Sequence, residues 1–215
     1  MKRLKLLGEP SFGSAIVEAQ LDWYGFDYDF EAVGDLFQSE AARQRVGGFN
    51  PLAQVPTLVL ADGTVMTESA AITLHLADVA GDASLVPAAG EPERPRFLRW
   101  LIFLVANVYP TYTYADDPSR FVHREAAAQD FRRAVDDYAK RLYAILEGEA
   151  SAPWFLGERF SALDLYVCTM THWRPRPPWF AEHTPKLAAI TGAAEKIPKL
   201  ERAWRRNGFL DSTAA

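Results

Sequence analysis

The first third of the chain alternates between short stretches of strand periodicity and stretches of helical periodicity. Residues 3–7 place leucines on one face, which predicts a strand. Residues 14–24 repeat apolar side chains at helical spacing, and Gly25 is a typical helix stop. Residues 26–31 alternate aromatic and acidic side chains, which predicts a half-exposed strand. A strand–helix–strand unit of this kind usually forms a parallel pair with a right-handed crossover.

The next segment continues with a short helix and a hairpin. Residues 38–46 predict an irregular helix, and two strands over residues 57–60 and 64–66 flank the turn signal Asp62-Gly63. Helical periodicity returns over residues 68–79. The resulting order, βαβαββα, is that of a thioredoxin-like domain, which we assign to residues 1–80.

The composition changes after this point. Residues 81–92 contain two glycines and two prolines, as expected of an inter-domain linker. Beyond them no hairpin signal occurs. Ser161 and Asp164 have the spacing of a helix-capping box, which we interpret as a structural feature and not as part of an active site. We therefore predict an α/β domain followed by an all-helical domain over residues 93–215. The helices of that domain are predicted over residues 93–115, 119–147, 161–174 and 185–206, with a break at Pro198.

Composition narrows the classes of function. The 215 residues are 49% hydrophobic and 24% charged, with a formal net charge of −5, which is typical of a soluble globular protein and disfavours a nucleic-acid partner. No apolar run reaches the roughly 20 residues that a membrane span requires. The single cysteine, Cys168, cannot form an internal disulfide, so a reducing cytoplasm is predicted. The histidines lack partners at ligand spacing, and no metal site is predicted.

Two dipeptides predict a pocket for an extended, carboxylate-bearing ligand. Val55-Pro56 precedes a strand, where the proline cannot donate a ladder hydrogen bond. Glu68-Ser69 opens a helix, whose unpaired N–H groups and positive dipole end favour an anion. The alternative for the second pair is ordinary helix capping with an acid in the first turn.

In this order and spacing, the two dipeptides resemble the glutathione-binding half of the glutathione transferase superfamily. The resemblance implies that Val55 pairs through its main chain with the cysteinyl unit of glutathione, with Pro56 cis. It further implies that Glu68 and Ser69 hold the γ-glutamyl end. The residues expected to bind glutathione are therefore Phe12, Gln54, Val55, Pro56, Glu68 and Ser69, and Arg43 or Arg45 could also contribute.

The same resemblance implies that the catalytic residue lies in the loop after the first strand. A glutathione transferase stabilises the thiolate of glutathione, often through a hydroxyl near the first helix N-terminus. Classes that use tyrosine carry it where this chain has Leu6-Leu7, and the serine classes place the serine six residues before an apolar residue. Ser11 lies six residues before Val17 and is the favoured catalytic candidate. Ser14 is the rival, although it lies where a helix N-cap is expected.

The resemblance also implies an activity and its alternatives. Glutathione thiolate would attack an electrophilic, partly apolar small molecule, giving a thioether, and the protein would act as a homodimer. The second substrate is expected between the domains, against Tyr109 and Tyr112. The same pocket could instead support glutathione-dependent isomerisation or peroxide reduction. A non-catalytic binding or interaction module with the same fold is the rival from another class.

Overall fold

The strand β1 (Leu4–Gly8) lies at the centre of a four-stranded sheet in a computed structural model that describes residues 3–210. It pairs in parallel with β2 (Tyr28–Ala32) and antiparallel with β3 (Thr57–Val59). The outer strand β4 (Val65–Met66) pairs antiparallel with β3. The strand order is β2-β1-β3-β4, and the predicted thioredoxin-like fold is confirmed.

Helices cover both faces of this sheet because successive residues of β1 point to opposite sides. Leu6 is fully buried in a cluster with residues of α1 (Ser14–Tyr24) and α3 (Ser69–Ala80). Leu7 is fully buried on the other face, together with residues of α2 (Glu40–Gly47). The two apolar faces of one short strand therefore anchor all three helices.

The rest of the chain is helical within the described residues. It contains a π-helical turn over Leu104–Val108 and 3₁₀ turns over Pro118–Arg120 and Pro198–Leu200. The remaining helices are α4 (Arg94–Phe103), α5 (Tyr109–Asp116), α6 (Glu125–Glu149), α7 (Ala162–Thr171), α8 (Pro177–His183), α9 (Pro185–Ala194) and α10 (Glu201–Arg206).

The single helix predicted over residues 93–115 is interrupted by the π-helical turn. Two further predicted helix limits are wrong, and both lie close to a proline. The helix predicted from residue 119 begins at Glu125, because Pro118 starts a separate 3₁₀ turn. The helix predicted to residue 174 ends at Thr171, since Pro175 disfavours helical backbone in the residue before it. The connector after it contains the short helix α8.

The chain forms two compact units that differ from the predicted division. One unit comprises residues 3–88 together with residues 193–210, and the other comprises residues 89–192. The last helix, α10, packs against α1, in which every residue from Ser14 to Leu21 is buried. A helix buried over two full turns needs cover on the side away from the sheet, and the C-terminal segment provides it.

The capping pair predicted at residues 161 and 164 is confirmed. Every residue of α7 is buried, and the Asp164 carboxylate accepts hydrogen bonds at 2.7 Å from the backbone N–H groups of Phe155 and Ser161. The Ser161 hydroxyl lies 3.1 Å from the same carboxylate. Asp164 is fully buried, so it satisfies groups that water cannot reach.

Replacing this carboxylate with an amide tests its structural role. Asp164→Asn should lower the free energy of unfolding by about 2–3 kcal/mol, because the new NH₂ group faces donors that lose an acceptor. Urea denaturation followed by circular dichroism measures the change. The control Asp137→Asn, at an exposed position of α6, should change stability by less than about 0.5 kcal/mol. An Asp164→Asn protein as stable as the control would contradict the assignment.

Candidate functional site

The pairing pattern of the sheet brings three loops to one edge. Gly8 ends β1 where the antiparallel β3 begins, since Leu7 pairs with Thr57. Met66 ends β4 at the same edge, since it pairs with Leu58. The loops over residues 9–13, 54–56 and 67–69 therefore meet there. They carry the predicted residues Ser11, Phe12, Gln54, Val55, Pro56, Glu68 and Ser69, and Ser14 directly follows the first loop.

Two helices begin at this edge of the sheet. α1 follows β1 and starts at Ser14, and α3 follows β4 and starts at Ser69. The first turn of a helix carries N–H groups without intrahelical partners and the positive end of the helix dipole. The edge is therefore suited to anionic groups of a ligand.

The Ser14 side chain closes the loop after β1. It is fully buried, and its hydroxyl donates to the Glu9 carbonyl at 3.0 Å while accepting from the Glu9 N–H at 3.1 Å. Gly8 lies so close that a Cβ there would come within 2.6 Å of the Ser14 side chain. The expected N-cap role is wrong, because Gly13 occupies the cap and Ser14 is the first helical residue.

Ser11 differs from Ser14 in exposure and in backbone conformation. It is exposed and adopts a left-handed φ of +66°, which is uncommon for a residue other than glycine. Its N–H donates to Oδ1 of Asn207 at 2.9 Å, and its hydroxyl donates to the Asn207 carbonyl at 2.7 Å. A carbonyl can only accept, so this second bond uses the single proton of the serine hydroxyl.

The loop before β3 is fixed by two buried polar side chains. Asn50 Nδ2 and Thr57 Oγ1 both donate to the Gln54 carbonyl, at 3.0 and 2.8 Å. The Val55–Pro56 peptide bond is cis. Phe12 and Val55 pack against the same apolar cluster, so the loops that follow β1 and precede β3 share one support.

The third loop contains a second residue with left-handed φ. Glu68 has φ +63° and ψ +100° at the N-terminus of α3, and it is exposed, whereas Ser69 is only 8% exposed. Such backbone costs about 1–3 kcal/mol and is concentrated at functional sites. An exposed acidic residue and a buried serine therefore follow one another at the helix start.

Tyr109 and Tyr112 belong to the helical unit and pack with Trp173, at ring-centroid distances of 5.5 and 4.8 Å. Tyr112 is 8% exposed, and its hydroxyl lies 2.6 Å from that of Tyr143. It also donates to the Arg174 carbonyl at 2.8 Å. Burial raises the pKa of Tyr112 well above its ordinary value. The substrate role of both tyrosines stays a prediction.

A buried polar network behind the 9–13 loop was missed by the sequence reasoning. The Glu18 carboxylate of α1 is fully buried, contacts Arg206 Nη1 at 2.6 Å and accepts from Asn207 Nδ2 at 2.9 Å. Tyr28 Oη lies 3.3 Å from Glu18 and 2.8 Å from Asp22. Burial raises the pKa of Glu18 to about 7, against the lowering effects of Arg206 and Asn207.

One sequence signal could have identified Glu18. It is the lone acid among small and apolar residues in the first two turns of a helix, and that pattern is typical of a helix covered on all sides. Asn207 offered no comparable signal, because it lies almost two hundred residues away in the chain. Over residues 3–210, no cluster of metal-ligating side chains occurs, and no helix is long and apolar enough to span a bilayer.

Comparison with known proteins identifies the class of protein. Residues 15–79 match the model of the glutathione S-transferase N-terminal domain. The chain is 39% identical over 208 residues to the uncharacterized GST-like protein YncG of Escherichia coli K12, covering 96% of this chain and all of that protein. The chain therefore belongs to the glutathione S-transferase superfamily.

Solved structures agree on the fold. A glutathione transferase homolog from Sulfitobacter, crystallised with bound glutathione, superposes with a TM-score of 0.85 at 22% identity, covering 96% of this chain and 99% of that one. A sphingomonad glutathione S-transferase in complex with glutathione gives a TM-score of 0.73 at 26% identity, covering 95% and 98%.

The raised pKa of Glu18 leads to a prediction of how the stability of the protein depends on pH. The native state holds the Glu18 proton up to about pH 7, whereas the unfolded chain releases it near the ordinary value of 4.5. Stability from this group is therefore present at low pH and lost as pH rises from about 5 to 7. Relative to Glu18→Gln, the parent should lose roughly 3 kcal/mol of unfolding free energy across this window.

Urea denaturation of both proteins at several pH values measures the difference. The exposed substitution Glu182→Gln should show the pH dependence of the parent. A constant difference between the parent and Glu18→Gln from pH 5 to 8 would contradict the raised pKa.

Proposed function

We propose that this protein is a glutathione transferase that joins the sulfur of glutathione to an electrophilic carbon of a partly apolar small molecule. The observation that carries the proposal is the meeting of three loops and two helix N-termini at one sheet edge. Glutathione bears two carboxylates and a thiol that reacts as an anion, and this edge suits anions. The glutathione-bound structures of similar fold support the choice of ligand.

The loops before β3 and α3 would hold the tripeptide. Val55 would pair through its main chain with the cysteinyl unit, in a loop whose preceding carbonyl is fixed by Asn50 and Thr57. Glu68 and Ser69 would bind the γ-glutamyl end, the carboxylate facing the amine and the hydroxyl facing the carboxylate. Gln54 is exposed and would reach the glycyl end, and Phe12 would line the cysteinyl unit.

Ser11 would stabilise the thiolate. Ser11 is exposed at the required edge, but the proton of its hydroxyl is donated to the Asn207 carbonyl. A hydroxyl proton reorients about the Cβ–Oγ bond, and a hydrogen bond to an anion is about twice as strong as one to a neutral acceptor. A thiolate would therefore compete successfully with the carbonyl. The sulfur then bonds to the electrophilic carbon, and the leaving group departs with its electron pair.

Two parts of this proposal rest on the family alone. These are action as a homodimer and an electrophile bound near Tyr109 and Tyr112. A cytoplasmic location is proposed from the single cysteine, Cys168. Isomerisation or peroxide reduction would use the same glutathione site with a different second substrate. A panel of aryl halides, hydroperoxides and isomerisable substrates, each assayed with glutathione, would distinguish these reactions.

Binding of glutathione is tested at Glu68. Glu68→Ala should weaken the affinity about tenfold, or 1.4 kcal/mol, because a charged partner of the ammonium group is lost. Glu68→Gln should retain most of the affinity, since an amide oxygen still accepts. Isothermal titration calorimetry measures both variants, and Asp78→Ala, at the exposed far end of the same helix, is the control. No retention of the parent on glutathione resin would refute the proposal outright.

The roles of Ser11 and Ser14 can be distinguished because their alanine variants should have different defects. Ser11→Ala should lower kcat at least about tenfold, or 1.4 kcal/mol of transition-state stabilisation, with little change in glutathione affinity. Ser14→Ala should instead reduce stability by about 1–2 kcal/mol, because the N–H and the carbonyl of Glu9 both lose their partner. Steady-state kinetics and thermal denaturation of both variants provide the test. If Ser14→Ala were inactive but stable and Ser11→Ala fully active, the assignment would be reversed.

A further inference from the structure

Asn207 connects the exposed candidate residue Ser11 to the buried carboxylate of Glu18. Its side-chain oxygen accepts the Ser11 N–H at 2.9 Å, and its side-chain nitrogen donates to Glu18 Oε2 at 2.9 Å. Its main-chain carbonyl accepts the Ser11 hydroxyl at 2.7 Å. One residue, 1% exposed, thus bonds the backbone and the side chain of Ser11.

The identity of the residue follows from the two bonds that its side chain makes. The Ser11 N–H needs an acceptor, and the Glu18 carboxylate needs a donor. An asparagine side chain provides both, from atoms fixed on one planar amide. The Glu18 carboxylate helps to determine the orientation of the amide, together with the Ala203 carbonyl, which accepts from the same nitrogen at 2.7 Å. An inverted amide would place its oxygen against both acceptors and its NH₂ group against the Ser11 N–H.

We propose that Asn207, oriented by Glu18, is a positioning residue that holds Ser11 in its left-handed conformation for thiolate stabilisation. This inference rests on the proposed function and adds to it a residue outside the thioredoxin-like segment. The strain at φ +66° needs a compensating contact, and the bond from the Ser11 N–H to Asn207 provides one. Asn207 acts through Ser11 and need not touch either substrate.

The charges around Glu18 determine how pH acts on this arrangement. Arg206 of α10 pairs with Glu18, Asp22 lies one turn further along α1, and Tyr28 of β2 contacts both acids. Arg202 of α10 pairs with Asp22. The cluster therefore contains two acids and two arginines, and an additional carboxylate beside Glu18 would be uncompensated.

The first test removes the Asn207 side chain. In Asn207→Ala, hydrogen exchange at the Ser11 amide should accelerate by at least about tenfold, because its acceptor is lost. We expect kcat to fall about fivefold, with the glutathione Kd within about twofold of the parent, because binding is assigned to the other two loops. Arg205→Ala, which removes an exposed side chain of the same helix, should leave exchange and kinetics unchanged.

The second test reverses the polarity of the Asn207–Glu18 contact. Asn207→Asp keeps an acceptor for the Ser11 N–H but places two carboxylates together, which raises the pKa of Glu18 above its value in the parent. The kcat of this variant should therefore fall as both carboxylates lose their protons at rising pH. Adding Glu18→Gln lets the amide introduced at position 18 donate to the carboxylate introduced at position 207. The double variant should recover kcat to within about threefold of the parent and lose the steep pH dependence.

The outcomes separate this inference from the proposed function. Exchange at the Ser11 amide is measured without glutathione, so it reports positioning even if the parent neither binds glutathione nor turns over. Parent-like exchange and kcat in Asn207→Ala would overturn the inference. If that variant does not fold, the double variant decides: a kcat no higher than that of Asn207→Asp above about pH 7 would overturn the inference equally.

Discussion

The mixed pairing of β1 is the constraint on which the arrangement of this unit depends. Because β1 runs parallel to β2 and antiparallel to β3, its carboxyl end, the start of β3 and the end of β4 lie at one edge of the sheet. The burial of Leu6 and Leu7 on opposite faces fixes the register, since a slip by one residue would exchange the two clusters. The positions of three loops and two helix N-termini therefore follow from a strand of five residues.

Helix α1 imposes the second constraint. Its first eight residues are all buried, including Ser14, Glu18 and Gln20, so the sheet alone cannot cover it. The 3₁₀ turn and α10 near the C-terminus complete that cover. The same packing that protects apolar side chains of α1 also encloses Glu18, which requires Arg206, Asn207 and Tyr28 as partners. The stability of α1 and the formation of the polar network around Glu18 therefore both depend on the packing of the C-terminal segment against α1.

The sequence predicted the architecture well because local signals determine it. Period-two and helical spacing, the Asp62-Gly63 turn and the Ser161–Asp164 cap each act within a few residues, and the fold they predict is observed. The limits near Pro118 and Pro175 were missed because helical spacing continues past a break in the backbone.

The partners of Ser11 could not be predicted, since its bonds to Asn207 span 196 residues and depend on tertiary packing. Likewise, the spacing of Ser11 and Ser14 from Val17 could not predict that Ser14 is buried and Ser11 is exposed.

The two bonds between Ser11 and Asn207 have different roles once a thiolate is considered. In the structure, the hydroxyl–carbonyl bond and the amide bond together offset the strain of a left-handed serine, each contributing on the order of 1 kcal/mol. A bound thiolate would take the hydroxyl proton, and the main-chain carbonyl of Asn207 would then no longer restrain Ser11. The bond from the Ser11 N–H to the Asn207 side chain would remain in place at the stage when the hydroxyl must be placed accurately. The Asn207 amide, oriented by Glu18, is therefore required most when the hydroxyl has turned towards the ligand.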